Sequence, residues 1–346
     1  MSVTEDTETI RTLFRQQHGF LMSKIMFTAC ELGVFDLLLE SGEPLSSGAI
    51  AERLGTSPSG TERLLEACVS LKLLRMERKD SEGFYGNTNL ANLYLAKSSP
   101  KSQYHYLKYY SEVIYPGLQF LTDIVREGEG LFSKTHGMLP NSFFEAFYRS
   151  EEEMQRFSDT MDDAWNLYGR EVMSAFSLSH FPLIYDLGGG SGALAKECVS
   201  LYPNSMVTVF DLPKVVERAK KQPMSSDKRQ ITFQEGDFFK DPVPEADLYI
   251  LARILHYWED EKCVQLLTKL HQACRPGGGV LVIEMLLNED RCGPLEVHLY
   301  SMLMLVVMEG RERTPSEYKA LFTAAGFREV QHEKGSRYGI ILGRKQ

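Results

Sequence analysis

Residues 183–194 read LIYDLGGGSGAL. Leu183, Ile184 and Tyr185 form a short apolar run closed by Asp186, as in a buried strand. Gly188, Gly189, Gly190 and Gly192 follow almost without a break, and Ala193–Leu201 has helical spacing. Strand, glycine-rich turn and helix open the nucleotide site of a doubly wound α/β sheet. Glycine serves there because the backbone must turn tightly and admit a ligand where a Cβ would clash. The next apolar run, Met206–Phe210, ends in Asp211, about where such sheets place an acidic residue against a ribose diol.

The alternation continues to the C-terminus. Ile231-Thr232-Phe233 leads into Glu235-Gly236-Asp237-Phe238-Phe239, and Ala246–Leu251 is a further strand followed by Arg253, His256 and Trp258. A helix over 263–273, a glycine turn at 277–279, a strand over 280–284 and a methionine-rich helix over 299–309 come next. A helix over 317–325 and strands between 328 and 343 complete a mainly parallel sheet.

The first half is mostly helical. Residues 8–40 carry Phe20, Ile25, Ala29, Leu32 and Leu37 at helical steps, with a break near Gly33. So much apolar surface at an N-terminus predicts a dimer contact. Residues 45–88 read as a short helix, a turn at Thr56-Ser57-Pro58, a second helix and a hairpin, the pattern of a winged helix. Its second helix presents Glu62, Arg63 and Glu66, which is not the basic face a DNA reader needs. The aromatic stretch 103–125 has core spacing. A helix over 150–175 puts Met161, Trp165 and Tyr168 on roughly one face, with Glu151, Glu152 and Glu153 suited to its N-terminal dipole. The expected division is 1–100, 101–180 (helical linker and pocket wall) and 181–346.

Charge and composition narrow the function. A formal net charge of −9 opposes nucleic-acid binding, which runs on phosphate neutralisation. Six scattered cysteines with no C-x-x-C pair predict reduced thiols in a cytoplasmic protein, with no disulfide or zinc framework. No apolar run is long enough for a membrane span, and the polar start carries no secretory signal.

The loop Asp186-Leu187-Gly188-Gly189-Gly190-Ser191-Gly192 departs from the dinucleotide G-x-G-x-x-G and matches the D-x-G-x-G-x-G loop that holds S-adenosylmethionine. Together with Asp211, Asp237, the turn at Pro276–Gly278 and segments such as FTACELGVFDLL, EGDFFKDPVPEADLYILARILH and EGRERTP, it resembles the class I S-adenosylmethionine-dependent O-methyltransferases of the small-molecule type. The resemblance spans nearly the whole chain. It implies a Rossmann-like methyltransferase sheet behind a mostly helical, winged-helix dimerisation domain, a homodimer, S-adenosylmethionine as cofactor and a phenolic or hydroxyindole substrate. Neither membrane, nucleic acid nor metal is expected.

Chemistry and resemblance together suggest roles. Asp211 suits the ribose hydroxyls, because a carboxylate accepts two hydrogen bonds from a diol. Asp237 suits the adenine amino group, with Gly236 and Phe238 beside it, and Gly188 suits passage of the methionine moiety. The resemblance adds Tyr148, Trp165 and Arg253 around the cofactor. His256 sits just past a strand end, where ligands bind in such sheets. An imidazole is a suitable base for a phenol, of which only about a thousandth is ionised at neutral pH. By resemblance Glu284 and Glu309 are the two carboxylates beside that base, either of which could fix its tautomer. The family's base is usually followed by aspartate, whereas this chain reads His256-Tyr257-Trp258. Relatives acting on amide-bearing hydroxyindoles carry asparagine and glutamine where this chain has Leu303 and Val307. Three polar substrate contacts, at Tyr257, Leu303 and Val307, are thus expected to be replaced. A methyltransferase of another phenol, a paralogue without catalysis and a winged-helix regulator are the alternatives. The acidic charge disfavours the last, and the intact acidic set with His256 disfavours the second.

Overall fold

The computed structural model describes residues 3–128, 150–221, 230–307 and 310–346. The chain divides into two compact units, Met1–Pro116 and Gly117–Gln346. Residues 117–128 and 150–180 therefore fold within the second unit, not as a separate linker. No helix among the described residues is long and apolar enough to cross a membrane.

The first unit opens with helices α1 (Val3–Gln17), α2 (Gly19–Glu31) and α3 (Val34–Ser41). The expected break at Gly33 is present, with φ +79°, and a second break falls at His18. Strand β1 (Leu45–Ser46) leads into α4 (Ser47–Leu54), and α5 spans Pro58–Ser70. Ser46 and Ser57 accept the backbone N–H groups of Ala49 and Gly60 as N-caps. Strands β2 (Leu74–Lys79) and β3 (Glu82–Asn87) form the expected hairpin, and β1 pairs with β3. Phe35, Ile50, Leu65, Leu74 and Tyr85 close one core. Helix α6 (Tyr104–Tyr109) follows. Ile10, Leu13 and Phe14 share one face of α1 and are about half exposed, as is Phe20 on α2.

The second unit contains α7 (Leu121–Glu127), α8 (Glu151–Met173), β4 (Leu183–Leu187), α9 (Ala193–Leu201), β5 (Met206–Asp211), α10 (Pro213–Lys221), β6 (Ile231–Glu235), β7 (Ala246–Ala252), α11 (Asp260–Ala273), β8 (Cys274–Glu284), α12 (Leu295–Val307), α13 (Pro315–Ala324), β9 (Glu329–Lys334) and β10 (Gly339–Arg344). Ser150 caps α8 by accepting the Glu153 N–H at 3.1 Å. A capping box between Thr314 and Glu317 starts α13. The seven strands lie in the order β6-β5-β4-β7-β8-β10-β9. The first five are parallel, and β10 runs antiparallel to both neighbours. Strand residues alternate between two cores, as a period of two requires. On β7, Leu248 and Ile250 face α8 and α9, whereas Tyr249 and Leu251 face α11 and α13. Helices cover both faces, which makes the sheet doubly wound.

One expected turn is a strand. Gly277, Gly278 and Gly279 lie inside β8, where the register with β7 jumps from Ala246↔Cys274 to Leu248↔Gly279. The irregularity needs glycine, because a Cβ on Gly278 would stand 2.3 Å from the Asp247 carbonyl oxygen. Sequence alone cannot tell this bulge from a turn, since both call for the same residue.

Candidate active site

Strand order reverses between β4 and β7, and the carboxyl ends of the parallel strands meet a cavity of about 1000 Å³ there. From β4 come Gly188, Gly189, Gly190 and Ser191; from β5, Asp211; from β6, Gly236, Asp237 and Phe238; from β7, Arg253, Ile254, Tyr257 and Trp258. Helix α8 lays Met154, Phe157, Ser158, Met161, Asp162 and Trp165 along the wall, the spacing of a single helix face. Gly188 has φ +72°, and a Cβ there would stand 2.6 Å from Ile254 Cδ1, so any larger residue would close the loop onto that wall.

Asp211 accepts the Gly190 N–H at 2.9 Å and the Leu212 N–H at 2.7 Å. Burial nevertheless pushes its carboxyl up to about 6. Beneath the loop, the buried carboxyl of Asp186 is pushed up to about 7, first by burial and then by the charge of Asp211. Its Oδ2 has no hydrogen-bond partner among the described residues. Asp237 is more open. Against partial burial, the Phe239 N–H and Lys240 hold it below the usual carboxylate range. Trp165 packs its ring on Tyr338 at 5.4 Å.

His256 lies in the turn after β7 and is 1 % exposed. It does not line the cavity; its ring packs at 4.0 Å, centroid to centroid, on that of Tyr257, which does. Burial pushes the Tyr257 phenol up to about 12. The imidazole Nδ1 is 3.3 Å from Glu312 Oε1, and Nε2 is 3.1 Å from the Arg253 carbonyl oxygen. Glu284 Oε1 accepts the backbone N–H groups of Ile254, Leu255 and His256 at 3.0, 2.9 and 3.3 Å. Arg253, at φ +58°, donates to Glu284 at 3.1 Å and to Glu312 at 3.0 Å. The ligating atoms of His256, Glu284 and Glu312 lie within 4.8 Å of one another, as a cation site would require. The Arg253 guanidinium bonds both carboxylates, so the protein itself supplies the positive charge. Although burial opposes it, Arg253 and then His256 hold Glu312 down at about 2. Burial pushes Glu284 up, opposed by His256 and Arg253.

Among the described residues the carboxylate on the imidazole is Glu312, a residue absent from the sequence-based set. Glu309 and Tyr148 lie outside the described residues, and Glu284 bonds the His256 backbone, not its ring. A parallel bridge, Leu286↔Arg313, and the Arg311 N–H on the His256 carbonyl at 3.0 Å bring residues 311–313 alongside the turn. EGRERTP contains both glutamates, and nothing local distinguishes them. Trp165, Gly188, Asp211, Gly236, Asp237, Phe238, Arg253 and Tyr257 all line the cavity. Leu303 and Val307 do not. They occupy α12 three and seven residues beyond Tyr300, whose ring lies 5.7 Å from the Arg253 guanidinium, and therefore share its side of the helix.

Comparison with known proteins follows the same division. A family model described as an O-methyltransferase domain matches residues 118–328, and one described as an O-methyltransferase dimerisation domain matches 14–97. Acetylserotonin O-methyltransferase of Gallus gallus is 57% identical over 346 residues, covering 100% of both chains. The Homo sapiens enzyme of the same name is 51% identical over 346 residues, again covering 100% of both. The crystal structure of human N-acetylserotonin methyltransferase in complex with S-adenosylmethionine superposes with a TM-score of 0.94 at 51% identity, covering 100% of this chain and 99% of that one.

Proposed function

We infer function from one premise: the chain belongs to the S-adenosylmethionine-dependent O-methyltransferase family. It is an O-methyltransferase, and S-adenosylmethionine is its cofactor. The cavity suits that group, because Asp162, Asp211 and Asp237 offer carboxylates to a cationic ligand and Gly188 leaves room for close approach. When bound, S-adenosylmethionine supplies a methyl group on a sulfonium that an oxygen nucleophile can take. In our reading, Asp211 accepts from the ribose hydroxyls and Asp237 from the adenine amino group. Gly188 faces the methionine moiety. Trp165, Gly236, Phe238 and Arg253 complete the wall, and Tyr148 joins them by resemblance.

The reaction we propose is methylation of a phenolic hydroxyl, with N-acetylserotonin as substrate and melatonin as product. Full-length identities of 51% and 57% to enzymes of that name support it. His256 takes the phenolic proton at Nε2 once the Tyr257 ring that covers it here has turned aside and opened that nitrogen to the cavity. Once protonated, its ring has a proton on each nitrogen, and each faces an acceptor: Glu312 at Nδ1 and the Arg253 carbonyl at Nε2. This buried group, next to a carboxylate-lined cavity at the switch point, is the observation that carries the reading. Turnover of S-adenosylmethionine with a panel of phenols tests it. Methylation of N-acetylserotonin is expected, and a panel without any product would overturn it. The aromatic ring of Tyr257 in the cavity wall favours a second reading, a less polar phenol, which the same panel ranks.

Cofactor affinity should depend on pH. In the free chain the Asp211 carboxyl is pushed up to about 6 by burial, so it costs the fold stability as pH rises from the ordinary carboxylate range through that value. A diol and a nearby cation favour the ionised form, so binding releases a proton below about pH 6. Affinity for S-adenosylmethionine is expected to fall by about tenfold from pH 7 to pH 5. Calorimetry giving equal affinities at both values would refute this role for Asp211.

The first unit serves, in our reading, as a winged-helix dimerisation module of a cytoplasmic homodimer. The dimerisation-domain match and the exposed Ile10, Leu13, Phe14 and Phe20 support this. Sedimentation at micromolar concentration should show a dimer. Replacing Leu13 and Phe14 by glutamate should yield monomer, because each charge would lie in an apolar contact. A native chain that sediments as a monomer would count against it.

A further inference from the structure

Among the described residues three carboxylates line the cavity, and two have roles in the reading above. The third, Asp162, comes from α8, a helix that contributes no residue to the glycine loop. Its Oδ1 accepts the hydroxyl of Ser191, the residue that follows Gly190 in the loop. Among the described residues no lysine or arginine lies within ion-pair distance of it. Burial raises its carboxyl above the usual carboxylate range despite the Ser191 hydroxyl and the more distant charges of Lys196 and Arg218. A carboxylate held in a cavity wall with Lys196 and Arg218 acting only from beyond ion-pair distance is a costly arrangement unless a ligand brings a closer cation.

Strand order says which part of the ligand that is. From the edge inward the strands run β6, β5, β4, so Asp237, Asp211 and the glycine loop succeed one another toward the switch point. With adenine at Asp237 and ribose at Asp211, the methionine end falls beside Gly188–Ser191, where Asp162 stands. That end carries an α-ammonium group.

Resting on the reading of the cavity as the cofactor site, we propose that Asp162 is a cofactor-binding residue whose carboxylate takes the α-ammonium group of the methionine moiety. The assignment predicts a pattern across three ligands. S-Adenosylmethionine and S-adenosylhomocysteine both carry the ammonium group; 5′-deoxy-5′-methylthioadenosine keeps the nucleoside and thioether and lacks the amino-acid end.

Calorimetric titration of the native chain and of Asp162→Asn with all three tests the proposal. The substitution keeps size and a hydrogen-bonding oxygen but removes the charge. Affinity for the first two ligands is expected to fall by about 10- to 100-fold, as for a charged hydrogen bond. That for methylthioadenosine should stay within about twofold. Asp162→Glu, which restores the charge, should recover part of the loss. Unchanged affinity for the first two overturns the proposal. So does an equal loss for all three, which would mean that Asp162 only supports the loop through Ser191. A loss confined to S-adenosylmethionine would assign the carboxylate to the sulfonium and also overturn it. A native chain that binds none of the three refutes the cofactor site itself, and the proposal with it.

Discussion

Replacing His256 with alanine is expected to lower kcat by on the order of 10²- to 10⁴-fold while leaving S-adenosylmethionine affinity within about twofold. The ring lies outside the cavity lining, so cofactor contacts survive its loss. What disappears is the proposed acceptor for the phenolic proton. Glu312→Gln should give a smaller loss in kcat, about tenfold, because the ring keeps a hydrogen-bonding partner at Nδ1 but loses the facing charge. Glutamine is the informative replacement. Alanine would leave half of Arg253 unpaired in a buried site and could cost about 3–5 kcal/mol of stability. Steady-state kinetics with thermal unfolding of each variant separates these effects. A His256→Ala enzyme with native kcat would remove the proposed base. A Glu312→Gln enzyme with native kcat would reduce Glu312 to a structural partner of Arg253.

The second large effect concerns the substrate. Restoring Tyr257→Asp, Leu303→Asn and Val307→Gln together should raise kcat/KM for N-acetylserotonin and leave cofactor affinity nearly unchanged. Each good hydrogen bond to a substrate contributes roughly 0.5–1.5 kcal/mol, so three could give tens- to a thousandfold if the gains add. Neighbouring sites often do not add. Only Tyr257 of the three lines the cavity. The single change Tyr257→Asp should therefore carry the largest share and also uncover the face of His256 on which that ring now packs. Leu303 and Val307 lie on the side of α12 that carries Tyr300 toward Arg253. His256→Ala in the restored background should abolish the gain. A native chain that already turns over N-acetylserotonin efficiently, with no improvement from the triple change, would show that these positions do not limit it.

The readable parts of this chain are those whose physics is local. A strand closed by Asp186, a run of glycines and an apolar strand ending in Asp211 each state their backbone demands within about ten consecutive residues. The sheet and one side of the cavity could therefore be placed from sequence: Gly188, Asp211, Gly236, Asp237 and Phe238 all line it, as does Trp165, which only the family resemblance supplied. Helix starts rest on equally local contacts, since Ser46, Ser57, Ser150 and Thr314 accept N–H groups only three residues away, although the sequence-based expectation does not draw on these caps and begins the last helix at 317, where the structure begins it at Pro315.

Only tertiary structure decided that Glu312 meets the imidazole, that His256 packs beneath Tyr257, and that α8 brings Asp162 to the glycine loop. Glu312 reaches His256 across 56 residues because a bridge beyond β8 and a backbone hydrogen bond hold Arg311–Arg313 in place. Glu309 and Glu312 are the same residue type in the same short motif, and their periodicity carries no information about a partner so far along the chain. Burial then gives the contact its energy. In a site from which water is excluded, the carboxylate that faces Arg253 and His256 is held ionised, and that pairing depends on packing between distant segments, which no local pattern encodes.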